Sequence, residues 1–190
     1  MAPAAHDHAL DLPLGVGESV APAAPDEVRQ TVLLLFDAYR GGVHRYVRAL
    51  GVTDRDRDDI VQEVFLALFD HVARGKDRSN LRGWIFKVAH NLALRHRARE
   101  ARRRRLGSLL EPRPVLDSTP TPEDRYLSGQ RQARLLAVVD ALPARDRRCL
   151  QLRAEGLRYR EISRVLGISL GSVANSLARA LARLRRADER

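Results

Sequence analysis

Apolar positions recur at intervals of three and four along most of the chain, the spacing that gives a helix one buried face. From Val28 to Leu50 the recurring set is Val32, Leu35, Phe36, Tyr39, Val43, Tyr46, Val47 and Leu50. The pair Gly41-Gly42 interrupts it and predicts a bend or a break. Gly51 ends the run, and Thr53 or Asp54 starts the next. The segment from Asp56 to Val72 is the cleanest amphipath. Val61, Val64, Phe65, Leu68, Phe69 and Val72 form one face, with Asp59, Gln62, Glu63 and Asp70 on another. A third run, Leu81 to Arg105, carries the stripe Leu81, Ile85, Val88, Ala89 and Leu92. Ser79 or Asn80 is placed to cap its start, and Gly107 follows its end.

The pattern then lapses. Residues 107–121 hold Pro112, Pro114 and Pro120 without a period, which predicts a flexible linker. Thr121 as cap, Pro122 at the first helical position, then Glu123 and Asp124 signal a new helix. It should run to about Ala141 and bury Leu127, Leu135, Val138, Val139 and Leu142. Pro143 opens another helix that stops at Gly156, with Cys149 on its apolar face beside Leu150 as a small buried hydrophobe. Tyr159, Ile162 and Leu166 mark a short helix closed by Gly167. Ser169 caps the last one, whose stripe is Val173, Leu177, Leu181 and Leu184. Two short helices joined by a three-residue turn with glycine make a helix-turn-helix, the second helix being the one that enters a major groove. Leu170, Gly171, Ser172, Ala174, Asn175 and Ala178 should face outward there, with Arg179 and Arg183 further along. Residues 1–27, rich in Ala and Pro, read as a disordered tail. No convincing alternating strand appears. The expected fold is all-α: two helical domains, 28–106 and 122–190, joined by a Pro-rich flexible linker, the second with a C-terminal helix-turn-helix.

Charge changes this picture from architecture to partners. A formal charge of +10 on 190 residues points to a polyanion, nucleic acid or an acidic membrane surface. Much of it sits at the end of the third run, where Arg95, Arg97, Arg99, Arg102, Arg103, Arg104 and Arg105 face the single acid Glu100. Like charges at i,i+4 oppose helix formation, and phosphates are the obvious ligand to offset that. In the second run Asp56, Asp58 and Asp59 suit the helix dipole. Gln62 and Glu63 lie deeper than the dipole explains and suggest docking to a basic protein surface. The single cysteine excludes an intramolecular disulfide. No apolar run approaches the ~20 residues of a bilayer span, and the N-terminus lacks a secretory pattern, so a cytoplasmic location is expected. His6 and His8 lack a third metal ligand, and His90 and His96 are too far apart to share a helix face. With no phosphate-cradling glycine loop and no Cys/His ligand set, neither an enzyme nor a cofactor is expected.

The stretch DDIVQEVFLALF, followed by LRGWIFKVAHNLAL, resembles the promoter-melting domain of bacterial sigma factors of the extracytoplasmic-function (ECF) type, in the sigma-70 family. The matching residues are Asp58, Asp59, Ile60, Val61, Gln62, Glu63 and Phe65, then Trp84, Ile85, Val88, Ala89 and Asn91. Where the family often has an acidic or small polar residue four positions after that Asn, this chain has Arg95. The resemblance implies that Asp58, Asp59, Gln62 and Glu63 dock on RNA polymerase. It also implies that the loop 73–80 and the helix after it capture unpaired bases of the downstream promoter element. Arg74, Lys76, Arg78, Asn80, Trp84, Lys87, Asn91 and Arg95 are the candidates, and Arg97, Arg99, Arg102 and Arg103 those for phosphate. Trp84 fits either the core or the border of melted DNA.

Residues 142–186 resemble the domain of the same family that reads the upstream element. Ser169, Gly171, Ser172, Ala174, Asn175, Ala178, Arg179 and Arg183 are its candidate readers. The family commonly has Lys and Arg where Ala174 and Ser176 stand, which shifts expected readout toward Asn175, Arg179 and phosphate. The implied function is a sigma factor that directs promoter recognition, strand opening and initiation at a specific regulon. Its implied partners are core RNA polymerase, promoter DNA and an anti-sigma factor. A free-standing helix-turn-helix regulator is the alternative, against which stands the helical pattern through 28–105. The linker leaves the two DNA-reading domains unfixed in the free chain, so DNA binding alone is expected to be poor. Because Arg190 follows soon after the helix-turn-helix, a fused C-terminal sensor is not expected.

Overall fold

A computed structural model describes residues 24–107 and 130–189. The expected tail through residue 23, most of the linker and the helix start at Thr121 and Pro122 lie outside them. Every element among the described residues is a helix. Three form the N-terminal domain: α1 (Pro25–Ala49), α2 (Asp54–Ala73) and α3 (Leu81–Gly107). Four form the C-terminal one: α4 (Gln130–Asp140), α5 (Ala144–Ala154), α6 (Tyr159–Leu166) and α7 (Leu170–Asp188). No single described helix is long and apolar enough to cross a membrane.

The N-terminal core forms where the three stripes meet. Val43, Val47, Val64, Leu68, Val72, Ile85 and Ala89 are all fully buried. Phe36 meets Phe65 edge-on at 4.9 Å, closing α1 onto α2. Tyr46 and His90, buried between α1 and α3, share a 2.8 Å hydrogen bond through the phenol and Nδ1. Burial, then the charges of Arg148 and Lys87, push the His90 imidazole down to about 4, so it is neutral here at pH 7.

Three expectations are corrected. Helix α1 runs unbroken through Gly41-Gly42. Gly42 is buried, and a Cβ there would sit 2.7 Å from Glu155 Oε2 and 3.3 Å from Phe86 Cζ, so the glycine admits a close approach. Phe69, expected in the core, is 44% exposed, while Ile60 takes a buried place instead. Leu181 and Tyr159 also face outward, and the buried line of α7 is Val173, Ser176, Leu177 and Ala180.

The helix-turn-helix is closed as its residues dictate. Gly167 adopts φ 65°, the left-handed region that ends α6. The Ser163 hydroxyl donates to the Ile168 carbonyl at 2.6 Å. Ser169 then caps α7 by accepting the Ser172 amide at 3.2 Å. Cys149 is fully buried beside this unit, and burial raises its thiol above the ordinary value.

The two domains also pack on each other, against the expectation of units left unfixed by the linker. Helix α6 lies across α3, and Leu152, Leu157, Ile162 and Val165 join the same apolar cluster as Phe86 and Ala89.

Candidate functional site

Helix α2 presents one outer face. Asp58, Asp59, Gln62 and Glu63 are all exposed on it. Asp58 lies 3.3 Å from His44 Nε2, and its side chain stays 85% exposed. Leu66 and Phe69, at i+4 and i+7 from Gln62, are 62% and 44% exposed on that face. The sequence reading missed both as surface residues. Their signal was Leu66 standing outside the buried stripe, directly between Gln62 and Asp70. The face is therefore an apolar centre inside an acidic and amide rim, the make-up of a protein-docking patch rather than a DNA one.

Along one edge this face meets α3. A hollow of about 170 Å³ is lined by Asp56, Asp59 and Glu63 on one side and Arg95, His96 and Arg99 on the other. His96 Nε2 lies 3.4 Å from Asp56 Oδ2.

The loop from Arg74 to Asn80 is short because its side chains make its own turns. Asp77 accepts the Ser79 amide at 2.8 Å and hydroxyl at 2.9 Å, which holds its carboxyl below the usual range. The His71 ring nitrogen Nε2 donates to the Asp77 carbonyl at 2.8 Å, and burial lowers the His71 pKa. Asn80 caps α3, accepting the Gly83 amide at 3.1 Å, so its side chain already has a structural task. Arg78 reaches back to the Val72 carbonyl and to Glu27, each at 3.3 Å. Arg74 pairs with Asp70 at 3.2 Å, and Lys76 is exposed.

On α3 the structure brings Trp84, Lys87, Asn91 and Arg95 into one line, three to four residues apart, with Trp84 and Arg95 at its two ends reaching α2. Trp84 is half-buried, with its ring 4.5 Å from that of His71, packed on the core yet still open on one side. Lys87 is engaged, donating to the Val165 carbonyl of α6 at 3.0 Å. Arg97, Arg99, Arg102 and Arg103 are exposed along the rest of the helix, Arg103 with Glu100 at 3.1 Å.

On α7, Gly171, Asn175 and Ala178 are exposed, and Ser172 and Ala174 half-buried. Among the exposed three, only Asn175 carries both a donor and an acceptor, the equipment for an adenine edge. Arg183 is exposed. Arg179 is exposed too, yet Nε and Nη2 donate to buried Asp146 at 3.0 and 2.7 Å, and Nη2 to Ser176 Oγ at 3.3 Å. That hydrogen-bonded pairing, chiefly, holds the Asp146 carboxyl below the usual carboxylate range. A cleft of about 930 Å³ joins the domains, lined by Arg78, Asn80 and Arg82 from one and Arg158, Arg160 and Arg164 from the other.

The described residues thus form a three-helix unit with an acid-rimmed apolar face and an arginine-rich third helix, followed by a helix-turn-helix. Residues 35–103 match the family model for sigma-70 region 2, and residues 132–184 that for sigma-70 region 4. The ECF RNA polymerase sigma factor SigE of Mycolicibacterium smegmatis is 32% identical over 145 residues, covering 75% of this chain and 56% of that protein. RNA polymerase sigma factor NccH of Alcaligenes xylosoxydans is 30% identical over 141 residues, 72% of this chain and 75% of that one. Among solved structures, the sigma factor RpoE of Bartonella quintana, crystallised with the anti-sigma factor NepR, shares the fold with a TM-score of 0.61. It is 20% identical, with 85% of this chain and 96% of that one covered. The chain belongs to the sigma-70 family and is of the ECF type. It spans little more than half the length of SigE.

Proposed function

We propose that this chain is a specificity subunit of bacterial RNA polymerase: it binds the core enzyme, selects promoters and captures the melted strand. The observation that carries this reading is the α2 face. An acidic rim around Leu66 and Phe69 repels phosphate, so on a chain of charge +10 it serves a protein partner. The two basic elements serve DNA. The line Trp84, Asn91 and Arg95 takes unpaired bases by stacking and hydrogen bonding, at roughly 1–3 kcal/mol per base. Arg97, Arg99, Arg102 and Arg103 neutralise phosphates, and α7 reads the upstream duplex through Asn175 and its neighbours. The polymerase supplies all bond-making, and the chain needs no cofactor for its part. An anti-sigma factor is a further partner under this reading.

The test is promoter binding and strand opening by the chain alone, then with core RNA polymerase at fixed salt. Binding that becomes tight and promoter-specific only with polymerase is expected. Tight specific binding by the chain alone, unchanged by polymerase, would overturn the reading in favour of a free-standing regulator, which typically reads two half-sites as a dimer.

A further inference from the structure

We propose that the cleft between the two domains is a binding site for a nucleoside polyphosphate, an anion of several phosphate charges attached to a planar base. Its volume of about 930 Å³ and its place at a domain junction suit a small molecule. Two ion pairs cross that junction, Arg45 with Glu155 and Arg82 with Glu161, each at 2.7 Å, and the second lies in the cleft wall.

The distribution of charge singles out phosphate. Five arginines line the cleft: Arg78 and Arg82 from the N-terminal domain, and Arg158, Arg160 and Arg164 from the C-terminal one. The first two are committed. Arg78 pairs with Glu27 and donates to the Val72 carbonyl, and Arg82 holds Glu161, the one acid among the lining residues. The same Glu161 oxygen, Oε2, also accepts the Arg158 amide. Arg158, Arg160 and Arg164 are exposed, and none has an ion-pair partner among the described residues. Asp77 feels the charge of Arg164, yet both its carboxylate oxygens are taken by Ser79. Three guanidinium charges are thus left over.

Folding does not account for them. Arg158 and Arg160 stand at the start of α6, where the helix dipole opposes a cation, and Arg160 and Arg164 are four apart, where like charges repel. A polyphosphate relieves both costs, meeting the positive end of the helix and the guanidinium forks together. A single phosphate would leave charge unmatched, whereas a di- or triphosphate carries enough for all three.

The rest of the wall supplies the place for a base. Tyr39 and Tyr159, one from each domain, line the cleft with Leu35 and Leu81. Tyr159 is 42% exposed, with the Arg153 guanidinium 5.9 Å from its ring centre. An aromatic ring stacks on any base, so the site selects the phosphate chain more strongly than the base. The site stands on the cleft's own side chains and does not depend on which surface takes promoter DNA.

The probes are ATP and GTP, with inorganic triphosphate and adenosine as the two halves, titrated calorimetrically into the full chain at fixed salt. Wild type is compared with Arg160→Ala/Arg164→Ala and with Arg185→Ala/Arg186→Ala, which removes the same charge from exposed positions at the end of α7. Alanine favours the helix at all four positions, so both variants should fold, as circular dichroism checks. One nucleotide bound per chain, more tightly than either half, is expected. Affinity should fall about tenfold or more in the cleft variant and keep the wild-type value in the control. The nucleotide should also raise the melting temperature of the wild type and not of the cleft variant. No saturable nucleotide binding overturns the site. Equal losses in the two variants overturn it in favour of a general attraction of anions to a chain of charge +10. Inorganic triphosphate that binds as tightly as ATP and GTP overturns the place for a base. A fluorescent single-stranded DNA that needs Arg160 and Arg164, where the nucleotides do not, makes the cleft a strand channel and overturns the small-molecule site.

Discussion

Two side chains on the recognition helix illustrate how far a residue's role was legible. Asn175 and Arg179 both lie on the outward side of a correctly placed helix, and the sequence could not separate them. The structure does, because Asp146 is 2% exposed and both its oxygens are taken by Arg179. Their separation of 33 positions leaves no local signal. Asn175→Ala should therefore weaken upstream binding by about 1–3 kcal/mol at one base position and leave thermal stability unchanged. Arg179→Ala should lower the melting temperature as well, since it strands a buried carboxylate. Melting curves beside binding curves check this, and equal stability of the two variants would count against the pairing. Asp146 also sets a pH response. Its folded pKa lies below its unfolded one, so the unfolded chain binds the proton first as pH falls. The stability it confers is present above about pH 4 and is lost below that. His90 behaves likewise in a higher window. Its folded pKa of about 4 against the ordinary 6.5 makes its contribution full above pH 6.5 and lost as pH falls toward 4. Urea titrations across that range should show a decline on the order of 2 kcal/mol that His90→Asn flattens.

At the scale of the element, periodicity located the described helices of both domains and the helix-turn-helix, because each depends on a local repeat, to which Asn80 and Ser169 add local caps at the starts of α3 and α7. It placed Phe69 wrongly because a stripe has an edge that sequence alone does not draw. Phe65 closes the groove against Phe36 at 4.9 Å, while Phe69, at the edge of the stripe, turns to solvent although Leu68 and Val72 beside it stay buried. The bend or break expected at Gly41-Gly42 fails for a related reason. A local cost of about 1 kcal/mol per glycine is offset by packing along 25 residues of α1, which no window of sequence reports. The exposed face of α2 then gives a prediction. Charge reversal at Asp59 and Glu63 should abolish binding to core polymerase without changing helicity, since both are exposed and the buried line Val61–Val72 is untouched. Leu66→Ala and Phe69→Ala should each weaken that binding by about 2 kcal/mol or more if they form the centre of the patch. Their effect on melting should be slight. Pull-down and titration calorimetry with core polymerase measure both, and wild-type affinity in the charge-reversal variant would place the dock elsewhere.

At the scale of the whole molecule, the sequence supplied two domains and a tether and was silent on their contact. The tether's composition argues for freedom, and so the packing of α6 on α3 had to come from structure. Its parts carry no local signal in sequence: Glu155 and Glu161 belong to no apolar stripe or motif, and Phe86, fully buried, falls outside the stripe read for α3. A shared apolar cluster and two ion pairs predict that the tether is not what keeps the domains together. A linker adds effective concentration, in the millimolar range when short and flexible, without adding contacts. Cutting it removes that term and leaves the interface. A protease site placed within residues 108–129 should therefore yield two fragments that co-elute on a sizing column at high protein concentration and low salt. Raising the salt should weaken the association only in part, because Arg45 and Arg82 pair with carboxylates that are 14% and 10% exposed and poorly screened. The same cut in the Glu155→Arg chain should release the fragments at lower salt. Fragments of the wild-type chain that separate immediately on cleavage, at every salt concentration, would mean that the contact exists only by courtesy of the tether.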